Sequence, residues 1–168
     1  MRSCDNYMNV LSALEWVEST NLSTAIREGA LLYPIIGGVH LLGIALFGGM
    51  LVMTDLRLLG WAMRRRPISE ILEQFRVWKR AGFVLVVLSG LLLAWAEPLK
   101  LYRSLSFWVK MALLVSVGVH ALVFRKGVYE DAKALDAGLT PRAKLAAALS
   151  LILWAGLLVT GRLIAFDA

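Results

Sequence analysis

Apolar residues fall in four long stretches separated by short polar breaks: about Leu31 to Thr54, Ala81 to Ala96, Leu105 to Phe124, and Leu145 to Gly161. No stretch alternates with period two for long enough to suggest a barrel strand. A helix that crosses bilayer hydrocarbon needs ~20 mostly apolar residues. The second run is short by itself, but Trp78, Lys79 and Arg80 precede it and can snorkel to extend it. The pattern predicts an all-α fold, an integral membrane four-helix up-down bundle. Its spans are expected at about 31–56, 80–97, 105–125 and 145–165, within a domain of 30–166.

The polar segments add shorter helices. Tyr7, Val10, Leu11, Leu14 and Val17 recur at helical spacing before the Ser19-Thr20-Asn21 break. They predict an amphipathic helix on the outer membrane surface, with a lead-in, over 1–29. A helix docked on the end of the bundle is the other reading. Ile68, Ile71, Leu72 and Phe75 repeat the pattern after Pro67, which predicts an amphipathic extension of span two on the cytoplasmic side. The stretch YEDAKALDAGLTPRAK reads as a polar helix and a turn at Gly138 and Pro141.

Composition supports the membrane reading. The chain is 59% hydrophobic, with a mean hydropathy of +0.70, far above a soluble domain. The start does not read as a signal peptide, because Asp5, Glu15 and Glu18 interrupt it. A lone cysteine, Cys4, gives no disulfide framework. Charge sets the orientation. Arg57, Arg64, Arg65, Arg66, Arg76, Lys79 and Arg80 lie between spans one and two, and Arg125, Lys126, Lys133, Arg142 and Lys144 between spans three and four. Positive loops stay in the cytoplasm, so both termini are expected outside. The +6 net charge reflects this bias and contact with anionic lipid. The basic residues border spans and form no separate basic domain, so no nucleic-acid partner is expected. Trp61 and Trp78 mark the inner interface, Trp95 and Trp108 the outer one.

The candidate chemistry rests on the two histidines, each inside a span: His40 in span one and His120 in span three. An imidazole in hydrocarbon is costly without a partner and marks a working site. Two on different helices can clamp one metal centre, and the expectation is a haem b between His40 and His120. Gly37 and Gly43 flank His40 on its face and leave bare backbone for a planar ligand. Close helix packing is the alternative role for both glycines. Depth argues against a shared ligand. His40 is about 9 residues into its span and His120 about 15, an offset of roughly 9 Å.

Other polar residues in the spans have competing readings. Lys110 and Arg162 can neutralise haem propionates, or hold an anionic quinone or lipid group, or simply snorkel. Glu97 and Lys110 are placed to pair near the outer interface. Ser116 can bond the His120 ring or its own helix. Asp55 and Arg57 cannot face each other on one helix, so each is expected to bind a neighbouring helix or the loop. Met50 and Met53 read as packing, and Trp154 as core.

Tyr33-Pro34, the run His40 to Leu46, the run Asp55 to Gly60, and Lys110 resemble a bacterial family of small four-span inner-membrane proteins. The resemblance covers nearly the whole chain. It implies the four-span architecture, a place in the inner (plasma) membrane and a histidine at the position of His40; it assigns no chemistry.

The sequence has no Walker loop, no HExxH and no nucleophile elbow, and no soluble domain that can house a catalytic pocket. Independent catalysis is not expected. Three classes remain. One is a haem-bearing electron-transfer subunit that serves an outer-side redox protein or a quinone. The second is an accessory subunit within a larger membrane complex or homo-oligomer. The third is a small metal or ion carrier.

Overall fold

A computed structural model describes residues 2–124, 128, 132–136 and 138–167 (for 2–7, 132 and 134 the backbone alone). Arg125, Lys126 and residues 129–131, part of the expected second basic loop, lie outside these, as does the Tyr7 side chain. In chain order the helices are α1 Arg2–Glu18, α2 Asn21–Glu28, α3 Leu32–Leu58 and α4 Ile68–Ala96, then α5 Pro98–Arg103, α6 Leu105–Phe124, α7 Ala132–Asp136 and α8 Pro141–Leu163. A 3-10 turn, Ile164–Phe166, extends α8. No strand occurs among the described residues. The helices α3, α4, α6 and α8 are each long and apolar enough to cross a membrane.

Helix limits follow local chemistry. Gly60 takes a left-handed φ of 79° just after α3, where a residue with a Cβ is strained. Pro67 caps α4, which then runs without a break from Ile68, so the expected extension and span two are one helix. Thr140 caps α8, accepting from the Ala143 N–H at 3.2 Å, and Pro141 takes the first turn, where it costs no hydrogen bond. The fourth apolar helix therefore starts four residues before the expected 145.

The long helices pack as a row and not as a ring. Helix α3 makes the largest interface with α4, α8 packs on α6, and a smaller seam joins α3 to α8. The α3–α4 approach is close because a glycine on each helix lets the backbone of the other come near. A Cβ on Gly43 would lie 3.0 Å from the Val86 nitrogen, and one on Gly82 would lie 2.8 Å from the Phe47 nitrogen. At the seam, the Trp154 ring occupies the space a Gly48 side chain would take. Its edge meets Phe47 with centroids 5.6 Å apart.

Both ends are tied. At the basic end, carrying the two loops, Leu58, Ile68, Phe124, Leu135, Ala143, Ala146 and Ala147 form a buried cluster. There Asp136 of α7 accepts from the backbone N–H groups of Ile68 and Ser69 and from the Ser69 hydroxyl, capping α4. These bonds, that of the Ser69 hydroxyl foremost, hold the Asp136 carboxyl below its usual range. At the other end, which carries both termini, Asp167 accepts from the Ser104 hydroxyl at 2.6 Å and the Ser106 N–H at 2.8 Å. Its carboxyl is lowered for the same reason. Here α1 and α2 pack on α5 and on the ends of α3 and α4. Ser23 donates to the Ala96 carbonyl at 3.1 Å, and the Trp95 indole donates to Thr20 at 3.2 Å. The expected lead-in is thus a second helix, buried through Ile26.

Candidate functional site

Helical spacing on α4 puts Ser89 and Gly90 opposite His40 of α3. His40 Nδ1 lies 3.0 Å from the Ser89 hydroxyl, and a Cβ on Gly90 would be 3.1 Å from the ring. The Ser89 hydroxyl donates back to the Leu85 carbonyl, so toward His40 its oxygen accepts. The Val86 carbonyl, another acceptor, also bears on the ring. With the Ser89 hydrogen on the Leu85 carbonyl, the matching His40 tautomer points Nδ1–H toward α4 and leaves the lone pair on Nε2. Lys110 of α6 lies within electrostatic reach of this ring. Its ammonium rests against bare Gly161 of α8, 3.5 Å from where a Cβ would be.

His120 makes a different contact. Its Nε2 is 2.9 Å from the Ala146 carbonyl of α8, and a carbonyl can only accept, so Nε2 is protonated. The ring is 4.9 Å from that of Phe124. The two imidazoles thus bond to different neighbours, His40 to α4 and His120 to α8, and α3 and α6 form no substantial interface. Gly43 is filled by α4, whereas a Cβ on Gly37 would meet open space. Arg162 stacks over the Phe166 ring at 5.5 Å. Among the described residues, no group of three His, Cys, Asp or Glu side chains gathers as metal ligands.

One expected pairing is corrected: Glu97 does not meet Lys110. It accepts from the Tyr33 hydroxyl at 3.3 Å and lies 3.9 Å from Lys100, both nearer along the same end of the fold. Of the two alternatives for Ser116, the structure takes the second: it bonds its own helix at the Ala112 carbonyl, 2.9 Å away and one turn back.

A second polar centre forms where three helices meet, a convergence the sequence does not display. Asp55 of α3 is 1% exposed and Thr54 beside it 2%. Lys79 of α4 donates to the Thr54 hydroxyl at 2.7 Å, and that hydroxyl donates to the Met50 carbonyl at 2.7 Å. Ser150 of α8 and Lys79 both bear on the Asp55 carboxyl, Ser150 through its hydroxyl and Lys79 electrostatically. Arg57 turns away to the loop and donates to the Arg66 carbonyl at 3.1 Å. Asp55 and Arg57 thus take a neighbouring helix and the loop respectively. An Asp among apolar neighbours was the available signal; its partners come from distant parts of the chain.

Compared with known families, residues 13–167 match the model of a family of unknown function, DUF6644. No curated protein matches the chain, and no solved structure does.

Proposed function

The chain belongs to this family, and from the geometry of its own site we propose that it is a small integral membrane subunit offering His40 as a ligand to haem b. In this reading α3, α4, α6 and α8 cross a bacterial inner membrane as an up-down bundle. The basic loops face the cytoplasm and both termini face outward, with α1 and α2 on the outer surface. The observation that carries the reading is the His40 ring. A ligating imidazole donates its second ring N–H to a protein acceptor, which fixes tautomer and orientation. Ser89 supplies that acceptor and leaves Nε2 free to ligate. Lys110, within electrostatic reach of His40, offers a cation for a propionate. His120 serves as second ligand only by giving up the Ala146 carbonyl. Bound haem supplies one-electron transfer, here with an outer-side redox protein or quinone.

The test is a visible spectrum of detergent-purified protein made with abundant haem. A Soret band is expected in the native chain and none in His40→Ala. Loss of the second ligand in His120→Ala leaves a five-coordinate, high-spin spectrum. A native chain without a Soret band overturns the reading.

A second reading is an accessory subunit or homo-oligomer without its own cofactor. The open faces of the row favour it. A Cβ on Gly37, Gly38, Gly49 or Gly118 would meet nothing within 4 Å, and small residues are where membrane helices approach one another. This reading takes first place if no Soret band is found and the purified chain holds stoichiometric partner chains or a second copy.

A further inference from the structure

The Asp55 centre has unspent hydrogen-bonding capacity on both sides of a gap. The Asp55 Oδ2 oxygen is buried and has no hydrogen-bond partner. Lys79 gives one N–H to Thr54, yet no ion pair joins it to Asp55 within 4.0 Å among the described residues. An ammonium has three donors and a carboxylate about four acceptor sites. The polar side chains bearing on the carboxyl are Lys79 from α4 and Ser150 from α8, and Lys79 is the charged one. A lone carboxylate oxygen kept from water costs its desolvation, and ionisable groups in a span mark proton and ion routes. A metal cation is not the fitting occupant, because the Lys79 ammonium already supplies the positive charge. A proton fits, because it removes the charge that the orphan oxygen cannot place.

We propose that Asp55 and Lys79 form a proton-binding centre within the spans, independent of His40. A proton delivered by water adds to Asp55 Oδ2 and makes one O–H bond; no electron moves. The centre changes from an ammonium near an unpaired carboxylate to an ammonium near a neutral acid. Lys79 keeps its bond to the Thr54 hydroxyl, so the ammonium stays beside the carboxyl in both states. The reverse step returns the proton to water.

Infrared difference spectra of the full chain in lipid, recorded against pH, test this. A carboxylic acid C=O band should rise on acidification, be absent in Asp55→Asn, and keep its place but change its midpoint in Lys79→Met. If Asp55→Asn does not fold, native chain grown with carboxyl-¹³C aspartate replaces it. Among the aspartates whose side chains are described, Asp136 and Asp167 are exposed and Asp55 is buried, so slow deuterium exchange sets the Asp55 band apart from theirs. If no slowly exchanging, label-sensitive acid band appears at any pH where the chain stays folded, Asp55 does not exchange a proton and the proposal fails. A midpoint unmoved by Lys79→Met also overturns it, because the pair would not be one centre.

Discussion

The contrast between Gly82 and Gly37 is a sharp test of the α3–α4 packing. A Cβ on Gly82 would stand 2.8 Å from the Phe47 nitrogen and 3.1 Å from its Cα. Carbon contacts settle near 3.5–4.0 Å, so the two backbones must separate locally by roughly 0.5–1 Å. Backbone cannot swing aside as a side chain can, and overpacking of this kind costs about 1–3 kcal/mol. Against that, Gly→Ala in a helix interior gains up to about 1 kcal/mol. Gly82→Ala should therefore lose on the order of 1 kcal/mol net. Gly37→Ala meets open space and should keep the whole helical gain. The two variants should differ by roughly 2 kcal/mol, or roughly 4–8 °C in thermal midpoint at this chain length. Circular dichroism melts in one detergent compare them directly. If Gly82→Ala melts at or above Gly37→Ala, the helices do not touch through bare backbone, and the account of the largest interface is wrong.

Three further outcomes are expected. A reporter active only in the cytoplasm, fused to either terminus, should stay silent, while one inserted between Trp61 and Pro67 should be active; the opposite pattern reverses the topology. Asp136 and Asp167 have folded-state carboxyls below their ordinary value, so the stability they add is present above the unfolded value of about 3.9 and fades as pH falls through the lower folded one. Amide protection at Ile68, Ser69 and Ser106 should drop in acid, and Asp136→Asn should remove it from Ile68 and Ser69 at neutral pH; protection that ignores both changes would dismiss the caps. In haem-free protein, His120→Ala loses one interhelical bond to Ala146, worth about 0.6–1.7 kcal/mol between membrane helices; an unfolding free energy equal to the parent would mean the imidazole does not hold α8.

The elements were legible where the signal is local. A run of apolar residues long enough to span a bilayer is a strong pattern, and Ile68, Ile71 and Leu72 announced the extension of α4 through periodicity. The Ser19-Thr20 break and the turn at Gly138 were equally readable, because capping and turn residues act on their neighbours. Pairings between helices were not. Glu97 and Lys110 share a depth, but depth does not say that Tyr33 and Lys100 lie closer. Lys79 looked like a snorkelling residue because its stem can reach water; its turn inward to Thr54 depends on how close Gly43 and Gly82 let α3 approach. The role of Gly48 depends on a ring from α8, and nothing around residue 48 foretells it.

The row of helices has a mechanical consequence. Two pairs, α3 with α4 and α6 with α8, meet along one narrower seam, and a roll of one pair on the other is the motion such a joint would resist least. Asp136 staples α7, which follows α6 in the chain, to the start of α4, so the basic end acts as the hinge pin. The Trp154 ring seated on Gly48 lies in that seam, so it is the contact that such a roll would load first.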